Sequence, residues 1–330
     1  MTFNSSDFTI DLRKIRLLRE LSARGTVTAA AAALHLTPSA VSQQLAGLSR
    51  ELGVPLLERR GRGVSLTGQA RLLLSHADAV QEQLELTRAA LASWSGGTVG
   101  EVRVGSLATG IAALVAPALA RLRDERPQLV VRATELDGDE GLALLDAGEL
   151  DLIVVSDFLG APTRQDARYH RVDLIADVMD VVLPADHPLA DPNGVRLADL
   201  AGEVWVGAEP GDSCAHIITG VCAAAGFVPD TRHHCREWDA VAALVSAGVG
   251  VALIPRLAFP LRQQDVVVCP VLGQPASRVL FALARAGTQL DPGTAVVVDT
   301  LRAVAAERLD GIAAGATEPL DDANLALAGR

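Results

Sequence analysis

The sequence predicts a mixed architecture: a helical head with a β-hairpin wing, one long helix, and a body of open α/β sheets. Three observations carry this. Between Leu12 and Leu52, amphipathic or alanine-rich helical patterns are broken only by tight turns. From Thr67 to Trp94 there is no proline and a single glycine, Gly68, as one long helix requires. Beyond residue 100, β-prone apolar runs alternate with helical stretches. At 330 residues and 49% apolar content the chain exceeds one core, so two or three domains are expected.

In the head, Leu12, Ile15, Leu18 and Leu21 share one face of a first helix that Gly25 ends. Thr26 or Thr28 caps an alanine-rich second helix, whose small side chains allow close packing. The third begins in "TPSAVSQQL", where Thr37 suits the N-cap and Pro38 the first helical position. Within it Val41, Leu45, Leu48 and Leu52 make the buried stripe, while Ser39, Ser42, Gln43 and Gln44 make the other side. Short hydroxyls and carboxamides can match base-edge donors and acceptors in a major groove, and they equally fit a solvated face. Helix, helix, tight turn, helix is the helix-turn-helix plan.

Next, "VPLLERRGRGVSLTG" reads as a hairpin with Arg59, Arg60 and Arg62 at its tip, where Gly61 and Gly63 let the chain turn. In the long helix, Leu73, Ala77, Val80, Leu84, Thr87, Leu91 and Trp94 recur at alternating steps of four and three. That is a heptad seam, and a second subunit is its natural partner. "SGGTVG" at 95–100 reads as a hinge.

Charge supports a nucleic-acid partner despite the net of -11. Residues 1–95 carry 11 basic against 8 acidic side chains, and the remainder 18 against 32. A positive head on an acidic body concentrates attraction to phosphate in one place.

In the body, "EVRVGSL", "LVVRATEL", "LDLIVVS", "MDVVLP", "VWVG", "GVALIP" and "VVVCPV" are expected strands. Helices are expected at 111–124, 141–147, near 213–225 and 237–247, and at 292–308. The final residues, 311–330, read as a flexible tail.

With these parts in order, the chain resembles the LysR-type transcriptional regulators. The likeness runs from about Leu12 to Arg308 and is strongest in "TAAAAALHLTPSAVSQQLAGLSRELGVPLLERRGRGVSLTGQA". Further on, "GELDLIVV", "LPADHPLA", "AAAGFVP" and "LVSAGVGVALIPRLA" resemble the family's effector domain. The resemblance implies a winged helix-turn-helix at 1–66, a linker helix for dimerisation at 67–95, and an effector domain at 96–310. The last would hold two Rossmann-like, periplasmic-binding-protein-like subdomains, about 100–174 plus 276–310 and about 175–275, with the ligand between them. It also implies a homodimer or homotetramer on double-stranded DNA, with RNA polymerase a further possible partner. Pro38, Ser49 and Leu57 depart from the family's commoner residues, which bears on the operator sequence rather than the fold.

By position, Thr37, Ser39, Ser42 and Gln43 would face the groove, Gln44 the phosphates, and Arg59, Arg60 and Arg62 the backbone or minor groove. Leu73, Ala77, Val80, Leu84 and Leu91 would pair subunits. Small molecules bind open α/β sheets beyond the carboxyl ends of strands, often at helix N-termini. That singles out Ser106 and Thr109 in "GSLATG", Ser156 after "LDLIVV", Ser213 at a helix start, and Trp238 in "CREWDA". Each equally fits a helix cap or a packing residue.

Other chemistries find weaker support. Cys214 and Cys222 lie where peroxide-sensing relatives carry a redox pair, with a different spacing, so a redox-sensing regulator is the alternative reading. His216, His233, His234 and Cys235 lack metal-ligand spacing, so no metal and no cofactor besides an effector is expected. "GDSCA" departs from a nucleophile elbow at Ala215, and His233 precedes Asp239, against the hydrolase order, so no enzyme is expected. A solute-binding protein would leave residues 12–95 unexplained. With Asp7, Asp11, Arg13, Lys14 and Arg16 breaking up the N-terminus and no membrane-length apolar run, a soluble cytoplasmic protein is expected.

Overall fold

The computed structural model describes residues 11–34, 36–60, 63–94, 100–158, 160–210, 212–259, 265–273 and 275–315. It divides into two compact units, Met1–Leu91 with Ala286–Thr288, and Ala92–Arg285 with Gln289–Arg330. Residues 95–99 of the hinge expected at 95–100, wing residues 61 and 62, and the chain beyond 315 lie outside the described residues.

In the first unit, α1 (Leu12–Arg24) is capped by the Asp11 side chain and closed by Gly25 in the left-handed region, φ 72°. Thr26, rather than Thr28, caps α2 (Val27–Ala33) by accepting from the Ala29 N–H at 3.2 Å. Thr37 does the same for α3 (Pro38–Leu52), taking the Ala40 N–H at 3.2 Å, and Gly53 ends it. Ile15, Leu18, Leu21, Val41, Leu45 and Leu48 are buried to 2% exposure or less, and Ala30 and Ala31 close the gap between helices. Each such Leu contributes about 1.5–3 kcal/mol of transfer free energy, which holds three short helices that would be unstable alone.

The wing is an antiparallel hairpin, β1 (Leu57–Arg60) on β2 (Gly63–Leu66), with Leu57 opposite Leu66 and Arg60 opposite Gly63. Thr67 caps the next helix through the Ala70 N–H and ties its own hydroxyl to the Pro55 carbonyl at 2.7 Å. That helix, α4, runs Gly68–Trp94. Its seam is used in two ways. Ala77 belongs to the core of the head, and Leu73, half-buried, packs against that core. Val80, Leu84 and Leu91 stay exposed at 52%, 52% and 67%.

The second unit is built on β3 (Gly100–Ser106), β4 (Leu129–Glu135) and β5 (Leu152–Ser156), all parallel, with β3 in the middle. Between β3 and β4 lies one helical stretch, α5 (Ala108–Gly110), a π-turn at Ile111–Val115 and α6 (Ala116–Glu125). Pro117 accounts for the π-turn: it has no N–H to give Ala113, and its ring crowds that carbonyl, so the wider turn relieves the clash. Helix α7 (Gly138–Asp146) links β4 to β5.

One long strand was expected only in part and another not at all. β6 spans Tyr169–Pro184, ten residues more than "MDVVLP", and β11 spans Ala276–Arg285. β11 pairs antiparallel with both β5 and β6. The far end of β6 passes into a second half, where it pairs with β9 (Ala252–Pro255) and β10 (Val266–Cys269). That half also holds β7 (Val204–Gly207) with β8 (Asp230–His234) in parallel, α8 (Ser213–Ala224) and α9 (Trp238–Ser246). Helix α10, Pro292–Gly315, closes the first half and runs past the predicted end at 308 into the expected tail.

Strand alternation sorts the cores. Leu152, Val154, Leu280 and Ala282 face one side of the sheet in the first half, with α6 and α10. Ile153, Val155, Phe281 and Leu283 face the other, with α7. In the second half, Met179, Val181 and Leu183 pack under α8 and Trp205, while Val182, Ala252 and Ile254 pack under α9. These strands form one seven-stranded sheet, ordered β10-β6-β11-β5-β3-β4 with β9 also on β6, and it is covered on both faces in each half. Among the described residues no helix is long and apolar enough to cross a membrane.

Candidate nucleic-acid interface and effector site

On α3, Ser39, Ser42 and Gln43 are exposed along one stripe, as predicted, and Thr37 is exposed while serving as the cap. Gln44 is half-buried, turned toward the side of Leu45 and Leu48. The stripe continues past the predicted set to Ala46 and Arg50, both exposed. Several of the head's positive charges are already engaged: Lys14 with Glu51, Arg19 with Asp78, and Arg24 with Glu20 at 2.8 Å. Arg59 and Arg60 end β1 beside the turn, whereas Arg62 lies outside the described residues.

In the second unit, the predicted effector residues differ in availability. The Ser106 hydroxyl donates to the Val154 carbonyl at 2.7 Å, tying β3 to β5, and Gly110 packs against it so closely that an added methyl would collide. This hydroxyl is structural first. Thr109 and Ser156 are buried, at 6% and 7% exposure, yet their hydroxyls hold no hydrogen bond to any described residue. Thr109 lies in α5, just beyond β3, and Ser156 is the last residue of β5. Ser213 is the first residue of α8, but Asp212 is the cap, accepting from the Cys214 N–H at 2.6 Å. Trp238 is half-buried and packs against both cores of the second half, so packing accounts for its burial.

The structure adds a charged network that the sequence reading missed. Asp177 on β6 and Arg278 on β11 pair at 3.0 Å with side chains 0% and 4% exposed. Asp177 also accepts the Leu257 N–H at 3.0 Å, and Asp180, three residues on, makes a two-point bond with Arg256. Burial pushes the Asp177 carboxyl above its ordinary range, against the pull of Arg278 and the Leu257 N–H. Asp137, ahead of α7, forms an ion pair with Arg236, ahead of α9, and so spans the two halves of the unit. The visible signal was a charge placed inside an apolar strand, as in "LIADVMDVVLP".

Arg278 also donates to Cys214 Sγ at 3.6 Å. Cys222 is fully buried, and desolvation pushes its thiol up to about 11. Both lie on α8, eight residues apart, a rise of about 12 Å, whereas a disulfide needs Cα atoms within about 7 Å. A Cys214–Cys222 bridge is therefore closed to the folded helix. Among the described residues no group of three or more His, Cys, Asp or Glu is placed to hold a metal ion.

A capped recognition helix beside a β-wing, joined through a long helix to a two-half α/β body, defines a transcriptional regulator with a ligand-binding domain. Residues 12–71 match the bacterial regulatory helix-turn-helix proteins of the lysR family, and residues 95–306 match the LysR substrate binding domain. The chain belongs to the LysR family and is a DNA-binding transcriptional regulator with an effector-binding domain. Among its relatives, the DNA-binding transcriptional dual regulator OxyR of Escherichia coli (strain K12) is 28% identical over 305 residues, 92% of this chain and 97% of its own. A hydrogen-peroxide-bound mutant of Corynebacterium glutamicum OxyR superposes with a TM-score of 0.60 at 22% identity, over 96% of this chain and 99% of that one. Full-length CbnR, solved in complex with its target DNA, superposes with a TM-score of 0.54 at 24% identity, over 90% and 100%. At these identities the two structures speak for the fold.

Proposed function

We propose that the protein reads an operator through the outer face of α3, grips phosphate through the wing, and responds to a small molecule held at Thr109 and Ser156. The observation that carries this is the exposed row of Ser39, Ser42 and Gln43 on a helix whose opposite side is completely buried. Thr37 and Gln44 flank the row, and Arg59, Arg60 and Arg62 supply the sequence-independent grip. Val80, Leu84 and Leu91 pair two copies along α4, since a long apolar row left in water favours association. Effector binding biases the angle between the two halves of the body and so the spacing of the heads on DNA. The protein acts in the cytoplasm, as a dimer or tetramer, without enzymatic activity and without a metal.

The test is Gln43→Ala. Its removal lowers discrimination between selected operator and random duplex by about 1–3 kcal/mol, read by fluorescence anisotropy. Equal losses on both duplexes would show that Gln43 touches no base.

A second reading is thiol sensing by Cys214 alone. The Arg278 guanidinium stands 3.6 Å from Cys214 Sγ, near the start of α8, and several relatives are described as hydrogen peroxide-inducible genes activators. Loss of a peroxide response in Cys214→Ser, with the response kept in Cys222→Ser, supports it. A response unchanged in Cys214→Ser refutes it.

A further inference from the structure

The outer face of α3 does not end at Gln43. At 3.6 residues per turn, Arg50 lies within about 20° of Gln43 around the helix, and Ser39 within about 40°. Ala46 falls between them, exposed and too small to obstruct a close approach. Arg50 is therefore on the same line as the groove-facing residues, about 10 Å further along the axis.

Its side chain does not extend away from that line. Arg50 Nε donates to the Ala46 carbonyl at 3.4 Å, which folds the guanidinium back by one turn, over Ala46. This brings it about one base-pair step beyond the level of Gln43, given rises of 1.5 Å per helix residue and 3.4 Å per base pair. Nε is used by the helix, so the two terminal nitrogens remain for another acceptor. Neither has a carboxylate or carbonyl partner among the described residues, in contrast to Lys14, Arg19 and Arg24. A planar pair of donors held in one orientation on a recognition face matches the adjacent O6 and N7 acceptors of guanine.

We propose that Arg50 is a second base-reading residue of the head, recognising a guanine next to the base pair read by Gln43. Ala46 provides the clearance, and its methyl group can meet a neighbouring thymine methyl. The inference rests on α3 being the groove reader.

The experiment uses the full chain and an operator duplex obtained by selection from random DNA. Each guanine is replaced in turn by 7-deazaguanine, which lacks the N7 acceptor, and affinity is measured for wild type, Arg50→Ala, Arg50→Lys and Gln43→Ala. Wild type loses about tenfold or more at one guanine per half-site, as expected for a hydrogen bond to a charged donor. Arg50→Ala is insensitive at that guanine and still sensitive to changes elsewhere. Arg50→Lys keeps the salt dependence but loses the preference for that base pair.

A phosphate contact gives another pattern. Arg50→Ala then weakens selected and random duplexes equally and lowers the salt slope by about one, with no guanine singled out. That outcome overturns the inference while leaving Gln43 selective. Should Gln43→Ala also weaken every duplex equally, the groove reading of α3 fails and this assignment fails with it. Arg50 is exposed, so both substitutions leave the fold intact, which circular dichroism verifies.

Discussion

Replacing Arg278 by leucine isolates the buried charge pair that joins β6 to β11. The substitution removes the guanidinium that bonds Asp177 at 3.0 Å and touches Cys214 Sγ at 3.6 Å, and leaves the carboxylate with the Leu257 N–H. Asp177 has no exposed side-chain area, so water cannot take over. Breaking one partner of such a pair costs about 3–5 kcal/mol, a large part of the 5–15 kcal/mol that holds a domain folded. The loss depends on pH in a definite direction. Burial already raises the Asp177 pKa and Arg278 opposes that rise, so the variant raises it further. The native state then binds a proton more readily than the unfolded state, and stability falls as pH rises. The relief is fully present below the unfolded carboxylate value of about 3.9 and is lost as pH climbs through the raised native value. Urea unfolding followed by tryptophan fluorescence should show a deficit that is largest near pH 8 and narrower near pH 5. Replacing Asp177 by leucine as well should recover much of it, because two apolar groups leave no buried charge. A deficit below about 1 kcal/mol, or one that ignores pH and the second substitution, would mean that the pair contributes packing rather than charge.

Gly110→Ala should destabilise by about 1–3 kcal/mol through collision with Ser106 Oγ, and Ser106→Ala in the same chain should restore part of the melting temperature. If the double variant melts no higher than the single one, the collision is not the cause. At pH 7.5 a maleimide should label half-exposed Cys235 well before Cys222, whose thiolate fraction is about one in three thousand, with peptide mass spectrometry as the readout. Equal labelling rates in the folded protein would contradict the burial described for α8. Leu84→Glu with Leu91→Glu should weaken self-association roughly a hundredfold in sedimentation while the head stays folded, since both residues are exposed. Unchanged sedimentation would place the pairing surface elsewhere.

The head was legible residue by residue because its signals are local. Thr37, Pro38 and the Val41, Leu45, Leu48, Leu52 stripe determine α3 without help from distant chain. In the body, short runs rich in apolar β-formers were legible as strands even with a charge among them, as in β3 and β4, whereas β11 was not. β11 went unread because Arg278 stands before its apolar run and Arg285 ends it, and the partner that makes Arg278 tolerable, Asp177, is 101 residues away. The first ten residues of β6 carry alternating charge for a similar reason: Arg171 lies over the Phe281 ring and pairs with Asp157 and Asp173. Among site residues, Ser106 shows the limit most clearly. A hydroxyl at a strand end looks the same in sequence whether it awaits a ligand or, as here, ties two strands together. The outer row named on α3 ends at Gln44, two residues short of Ala46 and six short of Arg50, although the same periodicity reaches both.

β6 and β11 are shared by the two halves of the body, and their ladder carries a register shift between Leu280 and Phe281. Two continuous strands tied by backbone bonds cannot swivel as a free pivot does. They can only bend and twist together, like a leaf spring, so displacement at one end returns a restoring force at the other.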